Sequence, residues 1–96
     1  MIIVAAHITI KEGMQDALLK AMEPCVEATR NEEGNISYTV FAGTEDACKF
    51  IVFEEWETQK ALDAHMETAH FKALGAALVP IAAAPLDIAV YEGKKL

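Results

Sequence analysis

The sequence predicts an α+β fold in one domain, and three observations carry that prediction. The chain has 96 residues, enough for one core and too few for two. Its apolar residues form short β-branched runs of strand length. Between those runs the apolar period lengthens to three or four residues, the spacing of helices buried on one side.

Residues 2–10, Ile-Ile-Val-Ala-Ala-His-Ile-Thr-Ile, read as a strand that Lys11-Glu12-Gly13 ends. One face carries Ile2, Val4, Ala6, Ile8 and Ile10; the other carries Ile3, Ala5, His7 and Thr9. From Met14 the recurrence of Leu18, Ala21/Met22, Cys25 and Thr29 predicts an amphipathic helix to about Asn31. Pro24 removes one backbone bond inside it and is expected to kink it, and Gly34 is expected to stop it. Residues 36–42 and 49–56 read as strands of a hairpin around Gly43-Thr44-Glu45-Asp46. Thr58 suits an N-cap for a helix over 59–67, and Thr68 a second over about 69–79. Pro80 and Pro85 mark the exit, and 86–92 is the last strand.

The order is β-α-β-β-α-β with the second helical region broken in two. This is the ferredoxin-like arrangement, a four-stranded antiparallel sheet with helices on one face. A sheet left wet on its other face should alternate apolar with polar. Here Phe50 and Val52 point one way while Ile51 and Phe53 point the other, so both faces are apolar. The second face needs cover, and the expectation is a homodimer packed sheet to sheet.

The hydrophobic fraction of 53% also exceeds what one small core needs. Eight Lys and Arg against fifteen Asp and Glu give a net charge of −7, and only Lys94-Lys95 stand together. Phosphate contacts need clustered cations, so nucleic acid and anionic membrane surfaces are not expected partners. No apolar run approaches membrane-spanning length, and the apolar start lacks the basic residues and the length of a signal peptide. Cys25 and Cys48 make no metal or redox motif and read as two thiols in a reducing cytoplasm.

Nucleotide, phosphate, metalloprotease and serine-hydrolase motifs are absent. Glu54 and Glu55 fall on opposite strand faces and cannot act as one carboxylate pair. What stands out is His7, His65 and His70, with Trp56, Tyr38 and Tyr91. His65 lies on the apolar stripe of its helix beside Ala61, Leu62 and Met66. His65 and His70, five apart across a helix break, lack metal spacing, so no metal site is expected from the histidines.

The block from Glu54 to Ala73 contains E-x-W (Glu54, Trp56), then A-L-x-x-H (Ala61 to His65), then H-F-K-A (His70 to Ala73). It resembles the antibiotic biosynthesis monooxygenase family, and the earlier Glu33-Gly34-Asn35-Ile36-Ser37-Tyr38 resembles that family's E-x-G-x-x-x-Y at the start of the second strand. The resemblance covers residues 1–96 as a single domain and implies the dimeric α+β barrel fold. It does not by itself select one activity. In the heme-degrading branch a helix histidine ligates iron; counting from Trp56, that position falls at Gly75, which cannot bind iron. The branch's Trp and Asn positions become His65 and His7.

The resemblance therefore implies a cofactor-free oxygenase of a quinol or polycyclic phenol, using molecular oxygen without metal, flavin or heme. Triplet oxygen reacts with a phenolate or quinol anion by one-electron transfer and recombination. The protein then needs an apolar pocket, a base and donors for the developing oxyanion. His65 is the expected base and His7 its understudy. Trp56 N–H and Tyr38 O–H are expected to orient the substrate oxygen. Phe41, Met66 and Phe71 would wall the pocket, with His70 at its edge. The alternative is a signal-molecule-processing isomerase or a non-catalytic ligand-binding member of the fold. Such a pocket would hold Lys or Arg, and Arg30 is the one arginine of the chain.

Overall fold

The computed structural model describes residues 1–96. Its elements run β1 (Ile2–Thr9), α1 (Gln15–Arg30), β2 (Asn35–Ala42), β3 (Lys49–Trp56), α2 (Gln59–Met66), α3 (Ala69–Leu78) and β4 (Asp87–Glu92). The four strands form one sheet in the order β2-β3-β1-β4, and every neighbouring pair is antiparallel. This is the ferredoxin-like order expected from the sequence. The most apolar strand, β1, lies inside the sheet. Ile10, expected as its last residue, makes only an isolated bridge to Ala82.

The three helices cover one face. Beneath them lie Ile2, Val4, Ala6 and Ile8 of β1 and Phe50, Val52, Glu54 and Trp56 of β3, all buried. From above come Leu18, Met22, Cys25 and Thr29, one stripe of α1. Full burial of a side chain such as Leu18 or Met22 contributes roughly 1.5–3 kcal/mol. The helix runs through Pro24 without interruption. Pro24 is on the exposed side of the helix, as is Lys20, whose carbonyl would otherwise accept from an N–H at position 24. Gly34 does not stop the helix: α1 ends at Arg30 with Asn31 as its cap. Gly34, at φ +84°, instead turns the chain into β2. A Cβ there would stand 2.6 Å from the Cβ of Ala61, so the turn packs directly on α2.

A bulge in β2 determines what faces the helices. Asn35 pairs with Trp56 and Ser37 with Glu55, leaving Ile36 as the extra residue. The alternation is thereby reset, and Tyr38 rather than Ser37 lies opposite Glu54 on the helix side.

The break between α2 and α3 is made by Thr68. Its hydroxyl donates to the carbonyl of His65 at 2.6 Å and accepts from the N–H of Phe71 at 3.2 Å. Thr58 caps α2 by accepting from the N–H of Ala61 at 3.1 Å. Both caps lie where the sequence placed them.

The opposite face of the sheet carries no helix. Ile3, Ala5, Ile51 and Phe53 are half-buried on it, and Phe41 and Tyr91 are exposed.

Candidate active site

The alternation of β1 and β3 turns Val4, Ala6 and Val52 toward the helices, where they floor a cavity of about 160 Å³. Leu62, Phe71 and Leu74 roof it, and Ile88 and Val90 of β4 form its outer side. Those two are half-exposed, because no helix reaches over the β4 edge, so the cavity opens there. The lining is apolar except for four groups: Tyr38, Glu54, Gln59 and His65. A larger groove of about 590 Å³ lies between α1 and β2; Leu19, Met22, Val26 and Val40 share its lining with Glu23, Glu27 and Arg30, and no histidine, cysteine or tyrosine lines it.

His65 stands in the last turn of α2 and is almost fully buried. Its Nδ1–H donates to Oε2 of Glu32 at 2.6 Å. No buried side-chain nitrogen or oxygen in the fold lacks a partner, and Nε2 makes no bond to the protein. Nε2 therefore reaches accessible surface, and His65 lines the cavity. A carboxylate on Nδ1 fixes the tautomer: Nε2 carries the lone pair. The ring is held by neighbours on several sides, with Trp56 at 4.8 Å between centroids, Phe71 at 5.1 Å and Tyr38 at 5.9 Å.

Glu54 is buried, and its Oε1 accepts from Trp56 Nε1 at 2.9 Å. Burial pushes its carboxyl up to about 7; the Trp56 N–H opposes this and the charge of Glu32 adds to it. Its second oxygen has no protein partner and is open to the cavity that Glu54 lines. Burial, and then the contact with Cys25 Sγ at 3.6 Å, hold the Tyr38 phenol well above its ordinary range, so it stays neutral. Arg30, from the end of α1, donates through Nε to the Tyr38 carbonyl at 3.1 Å and does not line the cavity.

Of the residues expected from the sequence, His65, Tyr38, Met66 and Phe71 line the cavity. His70 lies beside it and donates through Nε2 to the same Glu32 oxygen at 2.7 Å. Three placements differ. His7 is on the opposite sheet face, paired with Ile51 and Asp87, and is exposed, because residue 7 alternates out of phase with Ala6 and Ile8. Phe41 shares that face, opposite Ile51, and is 51% exposed. Trp56 is fully buried, and its N–H is already given to Glu54, so it has none to offer a substrate. At the presumed iron-ligand position, Gly75 is exposed on α3 with open space where a side chain would be.

Sequence reasoning missed Glu32 and Glu54. Glu32 sits in a turn among Asn31, Glu33 and Gly34, with no periodicity to mark its direction. Glu54 had a usable signal: it shares its strand face with Phe50, Val52 and Trp56, which calls for a partner or a proton.

A family model described as antibiotic biosynthesis monooxygenase matches residues 1–77. The Bacillus subtilis protein named "Putative monooxygenase YcnE" is 33% identical over 88 residues, 92% of this chain and 93% of that protein. A crystal structure described as an antibiotic biosynthesis monooxygenase is 28% identical with a TM-score of 0.90, covering 99% of this chain and 100% of that one. A conserved protein from Methanosarcina mazei is 28% identical with a TM-score of 0.93, over 97% of this chain and 92% of that one.

Proposed function

The chain belongs to the antibiotic biosynthesis monooxygenase family, and on that premise we propose that it oxygenates a single-ring aromatic quinol with molecular oxygen and no cofactor. The observation that carries this reading is His65: Glu32 holds Nδ1, Nε2 is free, and the ring lines a mainly apolar cavity. Nε2 takes the phenolic proton. The quinol anion supplies one electron to oxygen, and the radical pair recombines on the ring carbon. One oxygen atom enters the ring, the other leaves as water, and the substrate supplies all the electrons, giving a hydroxyquinone. Glu54, whose carboxyl burial pushes up to about 7, is the group placed to return a proton to the departing oxygen.

Size favours one ring over several. A cavity of about 150 Å³ lined by apolar side chains holds a benzene, and this one is about 160 Å³. Substituents would leave past Ile88 and Val90. An isomerase for a charged signal molecule would want Lys or Arg in the cavity, and neither lines it.

Oxygen consumption on a panel of single-ring quinols, corrected for autoxidation, tests the reading. His65→Ala should lower the enzyme-dependent rate by about 10²–10⁴-fold, the usual cost of a general base. Equal rates for wild type and variant would reduce His65 to a core histidine.

A further inference from the structure

Glu32, His65 and His70 form a chemical unit that the oxygenase reading uses only in part. We infer that these three side chains bind a borderline divalent cation of the Zn²⁺ type, and that the bound ion turns His65 from proton acceptor to proton donor at the cavity. The binding stands apart from the oxygenase reading; its effect on turnover rests on it.

Two imidazole nitrogens and one carboxylate oxygen, Nδ1 of His65, Nε2 of His70 and Oε2 of Glu32, all lie within 4.8 Å of one another. A tetrahedral zinc with bonds of 2.0–2.1 Å holds its donors about 3.3 Å apart. The two nitrogens now stand 2.6 and 2.7 Å from the shared oxygen. Replacing those hydrogen bonds by metal bonds moves each nitrogen about 0.6–0.7 Å from the oxygen, and the two nitrogens, within 4.8 Å of each other, close by at most about 1.5 Å. A nitrogen-rich donor set with one carboxylate selects zinc, cobalt, nickel or copper over calcium and magnesium.

The three donors come from rigid places. Glu32 follows α1, and its own N–H is bonded to the Thr29 carbonyl at 3.0 Å. His65 ends α2, and His70 opens α3 across the Thr68 cap. In one unbroken helix, residues five apart point in different directions; the break at Thr68 brings these two rings to 5.9 Å. An ion also has a way in. The side chains of His70 and Glu32 are 23% and 14% exposed, so a water can complete the coordination from the outer side.

The consequence for His65 follows from imidazole chemistry. A neutral ring that gives its Nδ1 lone pair to a metal keeps its proton on Nε2. The proton now shared with Glu32 is in effect moved across the ring, with no net gain or loss. Nε2 then presents an N–H to the cavity and cannot accept a phenolic proton. Neither Glu32 nor His70 lines the cavity, so the ion reaches the chemistry only through His65. The site is a metal-set switch rather than an oxygen-binding centre.

The test uses the full chain after chelator treatment. Calorimetry with ZnCl₂ and visible absorption with CoCl₂ should both show one ion per chain. Long-range nitrogen–proton NMR on labelled histidine should show His65 passing from Nδ1–H to Nε2–H as zinc is added. Glu32→Gln and His70→Gln should each weaken binding at least about tenfold, while His7→Ala, on the other sheet face, should leave it unchanged. If Glu32→Gln does not fold, His70→Gln at its partly exposed position decides alone. No saturable binding, binding untouched by His70→Gln, or zinc bound with the His65 tautomer unaltered would each overturn the inference. Zinc binding in a protein that consumes no oxygen with any quinol overturns the oxygenase reading and leaves this one standing.

Discussion

Glu54 carries a charge question that stability measurements can answer. Its carboxyl titrates near 4.5 in the unfolded chain and near 7 in the fold, because burial disfavours the anion. Between those values the folded protein binds a proton that the unfolded chain has released. Stability from this group is therefore greatest below about pH 4.5, falls as pH rises through the window, and is flat above about 7. The whole change is on the order of 3 kcal/mol. Glu54→Gln keeps the acceptor for Trp56 Nε1 without the charge. Urea unfolding of both proteins at pH 5 and pH 8 should show the glutamine variant gaining relative to wild type at the higher pH. A wild-type-minus-variant difference that does not move with pH would show that Glu54 ionises freely in the fold.

At the scale of elements, Thr68 both caps α3 and fixes the end of α2 through the His65 carbonyl. Thr68→Ala should cost about 1 kcal/mol from the lost cap. It should also free His65 and His70 from their common orientation, which histidine NMR would read as a weakened bond from Nδ1 to Glu32. Thr68 shows where the sequence is informative. A threonine before an apolar helical stripe is a local signal, so the caps and the alternation within each strand could be read directly. The site depended on relations that are not local. His70 looked like an edge residue because its partner, Glu32, is 38 positions away. His7 read as facing inward or to the interface because β1 is apolar on both faces, and alternation groups residues by face without saying which face the helices cover. Tyr38 reaches the cavity through the bulge at Ile36, an irregularity that no residue type in β2 announces.

For the whole molecule, exposed area is the telling quantity. A folded monomer of 10.5 kDa exposes about 5,400 Å² by the size scaling of globular proteins; this chain exposes 6,124 Å². The excess, roughly 700 Å², is close to the ~800 Å² that each partner contributes to a standard interface. Ile3, Ile51, Phe53, Phe41 and Tyr91 place an apolar surface on the helix-free sheet face. Sedimentation at low micromolar concentration should give a dimer, and Phe53→Asp at the middle of that face should give a monomer. A compact wild-type monomer would refute the sheet-to-sheet assembly. The cavity lies on the other side of the sheet, so its lining residues do not depend on this contact.

The strand order has a consequence for how the protein is made. β1, the first element, sits between β3 and β4, so neither of its hydrogen-bonding edges has a partner in the first 48 residues. During synthesis the most apolar strand is thus the first of the four to emerge and, on its β4 side, the last to be satisfied. Pairings this distant in sequence are slow to form, since loop closure precedes any reward. The outer wall of the cavity, Ile88 and Val90, arrives with that same final strand. A nascent chain halted before β4 would expose both the open edge of β1 and the unwalled cavity, the two features by which a quality-control protease or chaperone would sense the missing strand.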